Sequence, residues 1–424
     1  MEHALYNAYV DILHEELLTA MGCTEPIAIA YAAAVAREIL GVLPEGMRIF
    51  VSGNIVKNVK SVIVPHTGGL KGIAAAAAAG AVAGRAREKL EVLSSVTGNQ
   101  LKEIAAYLET AELTVEESDR GCVFDIEIQA YGGGHSSMVH ITGRHTDIVR
   151  VEKDGDALIC RDAAENDGPQ LTDRGLLDVE NIVRFADEAD LNDVRDVLEK
   201  QIALNTAIAK EGIRGDYGAG IGQIMLASFG TGVANRAKAM AAAGSDARMS
   251  GCELPVVINS GSGNQGITAS VPVIVYAEEL QKDEDTLLRA LLVSNLVTIH
   301  LKTGIGRLSA YCGAISAGCG AGAGIMYLHG GRQREIAHTV VNALAINSGV
   351  ICDGAKASCA AKIVSSVEAG LLGMYMYMRG SEFYGGDGIV TKGVENTIKN
   401  VGELAREGMR ETDKKIIRLM LAKD

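Results

Sequence analysis

Eight cysteines in 424 residues carry the chemistry most worth locating, because four of them, Cys312, Cys319, Cys352 and Cys359, crowd into glycine-rich segments. Core packing does not require such clustering, so metal binding is the leading reading for this group, while Cys122, Cys160 and Cys252 read as small buried hydrophobes. Cys312 with Cys319 and Cys352 with Cys359 share a Cys-x6-Cys spacing. On a continuous α-helix that spacing spans roughly 10.5 Å, too far for neighbouring irons of one compact cluster unless the backbone bends. Gly354 offers such a bend between Cys352 and Cys359. Cys312 and Cys319 lie in a stretch helical enough that only one of them points at the site. Three thiolates would leave one iron open. Zinc with three sulfurs and an open position competes, although the chain lacks the Cys-x2-Cys knuckle of structural zinc.

Cys23 precedes Thr24-Glu25-Pro26, a cap residue with proline in the first turn, and so stands at a helix N-terminus. Unpaired amides and the helix dipole lower a thiol's pKa there, which makes Cys23 the candidate base. A buried helix-start cysteine and a fourth cluster ligand are the alternatives. Glu25 reads as a first-turn helix charge rather than an acid catalyst. The segment Asn259-Ser260-Gly261-Ser262-Gly263-Asn264-Gln265-Gly266 exposes backbone N–H groups that can cradle a carboxylate, with Ser260, Ser262 and Asn264 adding side chains. An ordinary polar turn is the plain alternative. Lys57, Asn58 and the turn Pro65 to Gly69 are further candidates for the same pocket, with His66 read as a satisfied turn residue.

Helical apolar spacing marks 4–20 and 26–40, β-rich pieces mark 48–51 and 61–64, and helices are expected over the alanine run 74–83 and over 99–109. Between 112 and 159 the pattern alternates, which predicts an antiparallel sheet. From about 175 nearly everything reads as helix: 189–210, 219–244, 284–301, 333–347, 360–378 and 394–422. The Asp-, Asn- and Gly-rich segment 160–174 is the expected connection. The fold class is therefore α+β, with an α/β portion over 1–174 and an all-helical portion over 175–424 that carries the cysteine site.

Fifty glycines, six prolines, no tryptophan and 4% aromatics describe small-residue helices that approach closely. A formal charge of -13 argues against nucleic acid and anionic membrane as partners. Residues 254–277 and 308–331 carry no formal charge. Polar residues and glycines interrupt both, against membrane spans. Glu2, Asp11, Glu15 and Glu16 break any apolar export signal, which predicts a cytoplasmic protein with reduced thiols.

Taken together, Gly22-Cys23-Thr24-Glu25-Pro26, the segment 259–266, Cys312 in its Gly-rich stretch, and Cys352-Asp353-Gly354 to Cys359 resemble the L-cysteine desulfidase family, related to the alpha domain of iron-sulfur L-serine dehydratases. The resemblance spans nearly the whole chain. It implies an oxygen-sensitive 4Fe-4S cluster held by three cysteines, matching Cys312, Cys352 and Cys359, and no pyridoxal phosphate. The implied activity is β-elimination of L-cysteine to sulfide, ammonia and pyruvate, on a small amino-acid substrate, with room for a homo-oligomer. Serine dehydratases typically follow the first cysteine with Gln, where this chain has Gly313, and space the last two cysteines more widely. Those departures favour the desulfidase branch. An L-serine dehydratase, a non-catalytic iron-sulfur sensor or electron carrier, and a pyridoxal-phosphate lyase are the competing readings.

Overall fold

The computed structural model describes residues 1–161, 171–306 and 308–421. Helix His3–Glu16 leads into a short strand β1 (Thr19–Met21) and helix Thr24–Leu40, followed by β2 (Gly46–Val51) and helices Gly53–Val59, Ile73–Ala83 and Gly98–Thr110. Five strands follow: β3 (Glu112–Glu117), β4 (Asp125–Gly132), β5 (His135–Thr142), β6 (Ile148–Lys153) and β7 (Asp156–Cys160). The sheet order is β3-β2-β4-β5-β6-β7. Every neighbouring pair is antiparallel except β2 and β3, which run parallel because three helices carry the chain back between them. Ile126, Ile128 and Ala130 of β4 and Val139 and Ile141 of β5 alternate onto one face and are buried in the same core as helix Thr24–Leu40.

Beyond residue 171 the chain is helical apart from β8 (Pro255–Val257). Helices Val233–Met249, Gly263–Glu279, Glu284–Ile305, Gly313–Leu328 and Cys359–Met378 build its centre. The α+β class expected from the pattern is what the chain adopts. β8 pairs antiparallel with β1, Thr19 opposite Val257, so the first residues of the chain are tied to the helical part. Of the connection expected at 160–174, residues 162–170 lie outside the described residues. Among the described residues no helix is long and apolar enough to cross a membrane.

Several local expectations are corrected. The first helix ends at Glu16 rather than 20, because Thr19 to Met21 find a strand partner in β8. No strand forms over 61–64, where only Ile63 bridges to Lys71, since β2 already has β3 and β4 on its two edges. The run 219–244 breaks at Gly230, whose φ of 81° ends helix Ile221–Phe229. Cys252 is buried as expected, but Cys122 and Cys160 are exposed, on a loop and on the edge strand β7, so neither packs a core.

Small residues let the central helices touch backbone to backbone. A Cβ at Gly318 would stand 2.2 Å from the Ser366 carbonyl oxygen, and one at Gly370 would stand 2.2 Å from that of Gly318. Gly318→Val should therefore destabilise the protein by at least about 2 kcal/mol, as overpacking against rigid backbone does. Gly98→Ala, where an added Cβ meets nothing within 4 Å, should leave the melting temperature unchanged or raised. Thermal unfolding of the two variants checks this.

Candidate functional site

Four helices begin around one point. Helix Thr24–Leu40 starts after Cys23, Gly263–Glu279 after Ser262, Gly313–Leu328 after Cys312, and Cys359–Met378 at Cys359 itself. Their N-termini surround a cavity of about 110 Å³. Convergent amides and dipole ends make such a place favourable to negative charge.

Two loops register the thiols. Tyr311 bridges antiparallel to Ile351, Cys312 N–H donates to the Val350 carbonyl at 2.9 Å, and Cys352 N–H donates to that of Ala310 at 2.6 Å. This zipper sets Cys312 beside Cys352, whose thiols hydrogen-bond. The hydrogen bond from Cys312 favours the anion on Cys352, against burial, and the Lys57 and Lys302 ammonium groups add to it. Cys312 keeps its proton, held well above the ordinary thiol range by that same bond and by burial. Gly354 then turns the chain with φ 93°, and Cys359 reaches the same cavity, its Sγ 3.7 Å from the Gly354 carbonyl oxygen. Cys319 is buried within helix Gly313–Leu328 and does not line the cavity. The bend at Gly354 and the choice of one cysteine from the first pair follow the sequence reading.

Lys57 and Asn58 reach the cavity from the end of helix Gly53–Val59. Lys57 Nζ is buried against Asp413 Oδ1 at 2.5 Å, and Asn58 Nδ2 donates to Glu25 Oε1 at 3.1 Å. Ser260 (φ 49°) and Gly261 (φ 80°) form a two-residue turn closed by reciprocal backbone bonds between Asn259 and Ser262. A buried amide chain fixes the turn: Asn259 Nδ2 donates to Asn295 Oδ1 at 3.0 Å, and Asn295 Nδ2 to Gln201 Oε1 at 2.8 Å. Ser260, Ser262 and Asn264 all line the cavity. The turn Pro65 to Gly69 does not, and His66 instead pairs with Glu253 at 3.3 Å.

The expected direction for Cys23 is corrected. It is the N-cap residue foreseen, but its thiol is pushed up to about 12 by burial, which outweighs the Arg248 charge pulling it down. A helix N-terminus cannot offset full removal from water. Glu25 stands in the first helical turn as expected, and it also lines the cavity, where burial raises its carboxyl above the usual range, with Arg248 and Thr24 opposing. Arg248, Gln265, Lys302 and His145 also face the cavity and were not singled out from the sequence. Arg248 and Lys302 sit in the last turns of long helices, where a basic residue ordinarily signals only a helix end.

Three thiols with two lysines beside them are a donor set suited to a cubane iron-sulfur cluster, which takes one thiolate per iron. Among the described residues no group of three or more His, Cys, Asp or Glu side chains stands arranged to hold a metal ion.

Residues 87–418 match the family described as serine dehydratase alpha chain. The chain is also similar to proteins described as UPF0597 protein. That of Desulfitobacterium hafniense is 57% identical over 416 residues, covering 98% of this chain and 97% of that one. That of Lachnoclostridium phytofermentans is 49% identical over 417 residues, covering 98% and 100%. That of Finegoldia magna is 47% identical over 416 residues, covering 98% and 99%.

An added Cβ at Gly354 would stand 2.1 Å from the Lys57 carbonyl oxygen, at a φ that only glycine adopts freely. Gly354→Ala should therefore displace Cys352 and Lys57 together and cost about 1–3 kcal/mol of stability. Gly349→Ala, in the same loop with nothing within 4 Å, should cost far less. Denaturant unfolding of the two variants decides it.

Proposed function

Because this chain belongs to the serine dehydratase alpha chain family, we propose that it catalyses a β-elimination on a small amino acid, with a 4Fe-4S cluster held by Cys312, Cys352 and Cys359 and with L-cysteine as substrate. The observation that carries the reading is the meeting, in one cavity, of these three thiols with Cys23 and the turn 259–264. The bound cluster would supply a soft Lewis-acid iron for the leaving sulfur. Cys312, Cys352 and Cys359 would hold it, and Lys57 and Lys302 favour the anionic sulfur this requires. The turn at Ser260 to Asn264 orients the substrate through its backbone amides and side chains. We assign the Cα proton to Cys23. Cys23 would take that proton as its thiolate, a form that burial opposes and the Arg248 charge favours. Aminoacrylate leaves the enzyme and hydrolyses to pyruvate and ammonia.

Glu25 favours a second reading. Elimination from L-serine needs an acid to protonate the departing hydroxyl, and a carboxyl raised by burial at the cavity wall is a group that can supply one. Asn58 and Thr24 hold it in place. Sulfide needs no such help, being a far better leaving group at neutral pH.

Anaerobically purified protein should contain iron and acid-labile sulfide, and serine at Cys312, Cys352 or Cys359 should strip or degrade the cluster. Full iron content in all three variants would show the ligand assignment to be wrong. Cys23→Ala should keep the iron and lose exchange of the substrate Cα proton with deuterium; an intact exchange rate removes it as base.

Glu25→Gln separates the two substrates. Pyruvate formation from L-cysteine should fall by less than about tenfold, while any turnover of L-serine should fall by roughly 10²-fold or more. A kcat/KM for L-serine equal to or above that for L-cysteine in the unsubstituted enzyme would move the protein to the dehydratase reading and leave the ligand assignment standing.

A further inference from the structure

Arg248 is 4% exposed, and its guanidinium lies against Gly263, where an added Cβ would stand 2.3 Å from Nε. Its Nη1 donates to Asn264 Oδ1 at 3.2 Å, a neutral partner, and its buried Nε has no hydrogen-bond partner. No carboxylate stands at ion-pair distance from it among the described residues, although Glu25 and Cys23 both feel its charge. A buried cation one partner short is unfavourable unless an anion completes it. Gln265 presents the opposite deficit at the same wall. It is 6% exposed, its amide lies flat on Gly313, where a Cβ would stand 2.7 Å from the amide carbon, and its buried Oε1 accepts no hydrogen bond.

A guanidinium lacking an anion and an amide oxygen lacking a donor, both lining one cavity, are complementary to a molecule that carries a carboxylate and an ammonium together. We propose that Arg248 grips the α-carboxylate and Gln265 Oε1 accepts from the α-ammonium of an amino-acid zwitterion; this rests on the amino-acid lyase reading above and names the residues that select its substrate. Asn264 sets the plane of the fork through Nη1. The glycines at 263 and 313 are what let both side chains lie against the helix starts. Selection is then made on the invariant end of the substrate, leaving its β-substituent to the thiol side of the cavity.

The test uses ligands that have no leaving group. L-Alanine carries both charged groups and propionate only the carboxylate, so their binding to anaerobically purified full-length protein, measured by calorimetry, reports recognition without turnover. Unsubstituted protein should bind L-alanine more tightly than propionate. Arg248→Lys, which keeps the charge and loses the fork, should weaken both ligands by at least about tenfold. Gln265→Leu should weaken L-alanine by about tenfold and leave propionate unchanged. Iron content and melting temperature of each variant show whether the site is intact; should Arg248→Lys fail to fold, the split between the two ligands in Gln265→Leu decides alone. No binding of L-alanine to the unsubstituted protein, or unchanged L-alanine binding in the folded variants, overturns the proposal. Arg248-dependent L-alanine binding in a protein that eliminates nothing would sink the lyase reading instead, and pyruvate formation whose KM ignores Arg248→Lys would do the reverse.

Discussion

Anionic sulfur in the interior of a protein needs positive potential close at hand, and the rest of this structure follows from how that need is met. Four helices start at one cavity, and Lys57, Lys302 and Arg248 bring three buried cations to its wall. No single one of these suffices. Cys23 has a helix start and a nearby guanidinium, and burial still wins. Cys352 has a thiol donor and two lysines, and there the anion wins. The same cavity therefore holds thiols that resist ionisation, Cys23, Cys312 and Cys359, together with one, Cys352, that ionises readily.

Bringing four helix starts together is a packing problem before it is an electrostatic one. Helices can converge only if their flanks are thin, and the glycine and alanine content supplies that thinness at Gly318 and Gly370, where backbones meet. Polar residues then fix the loops. The Gln201, Asn295 and Asn259 amides pin the turn at 259–262, Asn205 pairs with both the N–H and the carbonyl of Val257, and the zipper between 310–312 and 350–352 pairs the two cysteine loops. Buried amides of this kind specify one register, because any other would leave them unsatisfied. The sheet contributes from the far side: Phe124 and His145, edge to face at 4.8 Å, close the cavity from the loops that flank β4 and β5.

The charged residues at the cavity take their character from distant parts of the chain. Lys57 reads as a substrate ligand from its neighbourhood in the chain; it lines the cavity, and its ammonium is paired there with Asp413 from the last helix, Arg410–Leu421. Arg248, which no motif marks, has no carboxylate at ion-pair distance among the described residues. Glu25 stays in the first helical turn and is there a buried carboxyl lining the same cavity as the thiols.

Local chemistry was legible in the sequence. Periodicity separated sheet from helix, Thr24-Glu25-Pro26 announced a helix start, Gly354 announced the bend that brings Cys359 round, and the helical character of 312–319 meant that only one of that pair faces the site. These are properties of a few adjacent residues, set by backbone sterics and hydrogen-bond valence. Tertiary structure alone decided the sign of the Cys23 shift, the partner of Lys57, the loss of a strand at 61–64 to sheet edges already filled, and the arrival of Arg248 and Gln265 at the cavity. Each of those depends on how much water is excluded and on which distant residue comes to rest within a few ångströms, and neither quantity is encoded in the spacing of neighbours along the chain.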